Sequence, residues 1–163
     1  MNSRMVQPRN IRFATLDDIS AEVDRLQHSG YEQAGKWNLS QVCEHLADWM
    51  TFPMDGFPKA PFAVSLLLGA MRTLRGKKML NDFIEKQSMP SNQPTAPQTV
   101  HPASGNEQAS IDRLNATIRR LEEHRGPIYP SPLFGSTNRQ ELIALQMAHC
   151  THHLHFLVPK VAS

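Results

Sequence analysis

Near its end the chain sets two histidines, His149 and His153, into the middle of an apolar helical stripe. Residues four apart on a helix share a face. At about 100° per residue, Leu142, Leu145, His153 and Phe156 all fall within about 40° of His149. Whatever packs against this helix must accept two imidazoles in a dry contact, which is costly unless each finds a hydrogen-bond partner or a metal. The pair alone reads equally as two satisfied core histidines or as two ligands. His155 falls on another side, beside Ala144 and Ala148, and His152 sits on the border of the stripe.

Three more amphipathic helices can be placed, and no convincing strand. Thr15-Leu16-Asp17-Asp18 opens the first with a capping-box pattern, Leu16, Ile19, Val23 and Leu26 recur at helical spacing, and Gly30 stops it. The second starts near Asn38 or Ser40 and runs to about Thr51, ended by Pro53, with Leu39, Val42, Leu46, Trp49 and Met50 as its apolar face. The third spans about Asn106 to Arg125, with Ile111, Leu114, Ile118 and Leu121 inward and Gly126-Pro127 as its stop. The histidine helix is the fourth, capped at Thr137 with Gln140 three residues on, and ended at Val158 by Pro159.

The expected fold is therefore all-α, a four-helix bundle with a long crossover connection, residues 52–103, between the second and third helices. Seven prolines flank that connection, and its middle, Phe62 to about Lys86, can form one or two extra helices as a lid or flank. Residues 88–104 read as loop. With 163 residues, 40% of them apolar, the chain fits a single domain, 1–163, with residues 1–12 expected to be loose. A net charge of +2 gives no argument for nucleic acid. The longest apolar run, Phe62 to Met71, is too short to span a bilayer, so no membrane partner is expected. Two cysteines exclude a disulfide scaffold, and with a polar start from Met1 to Arg12 they suit a cytoplasmic location.

The second helix supplies a third inward imidazole, His45, flanked on its face by Val42 and Trp49. Helix bundles build metal sites from side chains on facing helices. One histidine from one helix and an i, i+4 pair from another give three neutral nitrogen donors, and three protein ligands leave positions open for water or substrate. His45, His149 and His153 are thus the candidate ligands of a divalent ion, with zinc or nickel the best match to imidazole and iron or manganese as alternatives.

Two segments resemble a known family. Trp37-Asn38-Leu39-Ser40-Gln41-Val42-Cys43-Glu44-His45-Leu46-Ala47-Asp48 is similar to the second-helix motif of the DinB/YfiT-like superfamily, and His149-Cys150-Thr151-His152-His153 to its last-helix motif. The resemblance covers the first, second and fourth helices well, the third loosely and the connection hardly at all. It implies a four-helix bundle, usually a homodimer, with a divalent metal held by His45, His149 and His153. It also implies a spread of activities, among them transferases or isomerases that use a low-molecular-weight thiol. Many relatives follow the histidine pair with an Arg-Gly-Gln run, whereas Leu154-His155-Phe156 follows here. The neighbouring pocket chemistry is therefore not carried over.

Other candidates carry less. Cys150 stands where zinc peptidases with an H-E-x-x-H motif place a glutamate, and no acid lies nearby on that helix, so peptidase chemistry lacks its base. Cys150 and Cys43 read as small buried hydrophobes. His152 is the candidate catalytic residue, guiding a proton at the pocket edge, or equally a solvent-facing histidine at a helix C-terminus. Asp48 is a candidate acceptor for an imidazole, and Glu44 reads as solvated. Trp37 and Trp49 are expected beside the metal. His28, His101 and His124 belong to no constellation. Arg72, Arg75, Lys77 and Lys78 form a basic patch without interleaved aromatics, which suits an anion better than nucleic acid. Two function classes remain: a metal-dependent thiol transferase or hydrolase acting on a small molecule, and a non-catalytic metal-stabilised bundle with a binding or stress-response role.

Overall fold

The structure is a computed structural model that describes residues 6–90 and 95–160. It is mostly helical, with one small antiparallel sheet. In chain order the elements are α1 (Leu16–Ser29), β1 (Tyr31–Gln33), α2 (Leu39–Asp55), α3 (Phe62–Met71), a π-helical turn (Arg72–Gly76), α4 (Lys77–Lys86), a 3-10 turn (Pro97–Thr99), α5 (Glu107–Glu123), α6 (Arg139–Leu154) and β2 (Leu157–Pro159). The three expected helices before the histidine helix are α1, α2 and α5, and the histidine helix is α6.

Capping chemistry sets the starts. Thr15 and Asp18 close a reciprocal capping box on α1, as expected, and Asn38 with Gln41 does the same for α2. On α6 the cap is Asn138 with Glu141, one residue beyond the expected Thr137 and Gln140. Both pairs fit the pattern. Asparagine is the stronger cap, and the Glu141 carboxylate also favours the positive end of the helix.

Pro53 does not end α2, which continues to Asp55. A proline inside a helix deprives the carbonyl four residues earlier of its donor. Here that carbonyl belongs to Trp49, and the side-chain amide of Gln146 on α6 donates to it at 3.2 Å. A neighbouring helix thus replaces the lost backbone bond. The other end of α6 is shorter than expected: it stops at Leu154, and Leu157–Pro159 pairs with Tyr31–Gln33. Incoming backbone supports that turn, since Arg9 N–H donates to the His155 carbonyl and Ala34 N–H to that of Phe156. Strands of three residues are too short to show a period of two, which is why neither was visible in the sequence.

One core joins four helices. Ile19, Val23 and Leu26 of α1 meet Val42, Leu46 and Met50 of α2, Ile111, Leu114, Ile118 and Leu121 of α5, and Leu142, Cys150 and Leu154 of α6. Arg113 of α5 reaches α2 and pairs with both Glu44 and Asp48, so Glu44 is not simply solvated. Residues 1–5 of the segment expected to be loose lie outside the described residues. Arg9, further along it, pairs with Glu22 of α1 and donates to the Leu154 carbonyl.

In the connection, α4 packs against α6 and buries Leu80. Gly76 lies against the turn at residues 131–135, where an added Cβ would come within 2.7 Å of the Leu133 carbonyl oxygen. By contrast, α3 buries no residue. Of the lid or flank expected of this segment, α4 lies as a flank on α6, while the principal neighbour of α3 is the π-helical turn that follows it.

Candidate metal centre

His45 sits on the face that α2 turns toward α6, and His149 and His153 lie on the facing side of α6. Their Nε2 atoms converge: His45 to His149 is 3.2 Å, and His149 to His153 is 3.1 Å. One ring nitrogen from each residue falls within 4.8 Å of the other two. The sequence singled out these three residues, and the fold brings them together.

The orientation of His45 comes from a group the sequence did not reveal. Its Nδ1–H donates to the Thr99 backbone carbonyl at 3.0 Å, inside the 3-10 turn of the long connection. That bond places the Nε2 lone pair of His45 at the convergence point. The expected acceptor, Asp48, takes another imidazole instead. His101 Nε2 donates to it at 2.6 Å, and Arg113 binds its second oxygen at 2.5 Å. His101 therefore belongs to a constellation after all, one that ties the connection to α2 and α5. A backbone acceptor has no side-chain signature, so Thr99 could not be found by residue type.

Aromatic rings wall the cluster. Trp37 stacks on His153 with ring centroids 5.3 Å apart and planes 8° from parallel, and lies 4.9 Å from His45. Trp49 meets His149 edge-on at 5.9 Å. Burial among these rings, with the imidazoles crowding one another, holds His149 and His153 well below the ordinary histidine pKa. Burial brings His45 down to about 4. All three are neutral at pH 7, the form that donates to a metal. Burial also raises the pKa of Cys43 and Cys150, which stay thiols in the core.

Hydrogen bonding alone accommodates this cluster poorly. With His45 Nε2 fixed as an acceptor, at most one proton fits between three nitrogens that face one another. A metal ion resolves that conflict. Ligands at about 2.0–2.1 Å in a tetrahedral site stand roughly 3.3 Å apart, close to the two short separations here. The donor set and its spacing fit a divalent ion.

His152 does not join the convergence. Its ring packs on His153 at 4.9 Å and near Phe156 at 6.0 Å. A small cavity of about 30 Å³ lies behind Trp49, lined by Phe57, Tyr129, Phe134, Leu145 and Gln146 among others. His28 and His124 bond to nearby carbonyls of Asp24 and Pro127 and stay apart from the site.

Fold and site together define a helical protein with a buried tri-histidine cluster suited to a metal. Residues 5–160 match the model of a family described as "Protein of unknown function (DUF1569)", and the chain belongs to that family. No curated protein and no solved structure matches it.

Proposed function

We propose that this chain is a metalloprotein of the DinB/YfiT-like kind, in which a divalent ion held by His45, His149 and His153 serves thiol-dependent transfer, or hydrolysis, on a small electrophilic molecule. The observation that carries the reading is that His149 Nε2 lies 3.2 Å from that of His45 and 3.1 Å from that of His153, all three residues offering a ring nitrogen within 4.8 Å of the others, with His45 fixed in its ligand tautomer by Thr99. The shared core of α1, α2, α5 and α6 supports a four-helix bundle, with residues 52–103 as its crossover.

A tri-imidazole divalent ion with an open position lowers the pKa of a thiol or water, supplying a nucleophile at neutral pH. The chain does the rest. Neutral histidines leave the ion its full charge. Trp37 and Trp49 keep bulk water away from the nitrogens and hold their rings in place. His152, neutral at pH 7 because burial lowers its pKa, accepts the proton at the edge of the cluster.

The small volume of the neighbouring cavity favours a second reading, in which the ion only ties α2 to α6. Cobalt or nickel substitution separates the two. Under the first reading, small thiols change the visible spectrum of the substituted protein and support turnover of an electrophile. A spectrum indifferent to a panel of thiols, with no turnover, leaves the tying role.

A further inference from the structure

We infer that α3 and the basic turn after it form a docking surface for the face of an anionic lipid bilayer. The segment stands apart from the core. From Phe62 to Leu74 the chain carries six exposed large apolar side chains: Phe62, Val64, Leu66, Leu67, Met71 and Leu74, with Phe62 84% and Leu74 81% accessible. A helix apolar on all sides is normally buried. Among the described residues nothing covers this one. The six side chains, spread around the segment, together present on the order of 600 Å² of apolar surface, at the top of the range for a soluble monomer's largest patch.

Charge identifies the occupant. Between Asp55 and Asp82 the chain has 26 residues that include Lys59, Arg72, Arg75, Lys77 and Lys78 and no acid. The whole chain carries +2, so the residues outside this segment carry a net −3. The positive charge is concentrated where the apolar side chains are. Lys77 pairs with Glu141 and Lys78 with Asp82. Arg72 and Arg75 have no acidic partner among the described residues. A second copy of the chain would bring two acid-free segments of like charge together. An anionic bilayer offers acyl chains to the leucines and phosphate groups to the guanidinium groups at once.

Insertion is shallow on this account. At 1.5 Å per residue the ten residues of α3 extend about 15 Å, half the hydrocarbon thickness of a bilayer. No helix among the described residues is long and apolar enough to cross a membrane. The segment lies within the interface, its apolar side chains among the acyl chains and Arg72 and Arg75 at the headgroups. Such docking departs from the expectation of no membrane partner, which rested on the lack of a spanning run.

The test is flotation of the full-length protein with phosphatidylcholine vesicles, with and without phosphatidylglycerol. Flotation is expected only with the anionic vesicles, weakening as salt rises. Leu66→Glu/Leu67→Glu should abolish it, and Arg72→Gln/Arg75→Gln should weaken the affinity about thirtyfold, since each charge near an anionic surface contributes about 1 kcal/mol. Both variants change exposed side chains, and an unchanged circular dichroism spectrum checks that they fold. Absence of flotation overturns the inference, as does equal flotation with neutral vesicles. So does a dimer that Leu66→Glu/Leu67→Glu converts to monomer while the parent ignores vesicles, which would make a second copy the occupant.

Discussion

A single backbone oxygen, that of Thr99, decides which nitrogen of His45 is free. Among the described residues the other two imidazoles have no such outside anchor and are held by Trp37, Trp49 and one another. Their neutrality has a consequence for stability. An unfolded histidine titrates near pH 6.5, whereas burial lowers all three here, His45 to about 4. Below about pH 6.5 the unfolded chain therefore binds more protons than the folded one, and acid favours unfolding. The contribution is fully present above that pH and is lost as pH falls toward 4, by up to about 1.4 kcal/mol per pH unit for each histidine. Urea midpoints of metal-free protein should fall clearly between about pH 7 and about pH 5.5. Equal midpoints would show that the three rings take up protons in the folded state.

At the scale of elements, α2 and α6 depend on each other through Pro53. Gln146, 4% exposed, supplies the donor that Pro53 withholds from the Trp49 carbonyl. Gln146→Leu should cost about 1–3 kcal/mol, the penalty for a buried carbonyl left without a donor. Pro53→Ala restores a backbone N–H at that point, so the double variant should recover much of the loss in a double-mutant cycle by urea denaturation. Simple additivity would mean that the two residues act separately. The same pair shows what the sequence could and could not reveal. The apolar periodicity of α1, α2, α5 and α6 was legible, because helical spacing is local. The continuation of α2 past Pro53 was not, because its compensation comes from a residue 97 positions away from Trp49. The Asn138 cap was obscured by a pattern of the same form one residue earlier, and the two strands by their length of three. The three converging histidines were legible because each lies inside an apolar stripe. Their surroundings, Thr99 and the His101–Asp48–Arg113 cluster, depend on how the connection returns to α2.

For the whole molecule, the question is how far the fold depends on the ion. The shared core draws on four helices without help from the histidines, so the metal should add to stability without creating the fold. A ligand that binds only the folded state stabilises it by about 2.7 kcal/mol at a hundredfold excess over its dissociation constant. A chelator should therefore lower the melting temperature while the helical circular dichroism signal at room temperature stays. Loss of that signal would make the site a condition of folding. The central claim, that His45, His149 and His153 hold a divalent ion, is tested most directly by elemental analysis of protein purified without an affinity tag. The account predicts about one zinc or nickel per chain, as expected of a single three-histidine site. It predicts retention in His155→Ala and no metal in His149→Ala/His153→Ala. Metal retained at full stoichiometry by that double variant would contradict it.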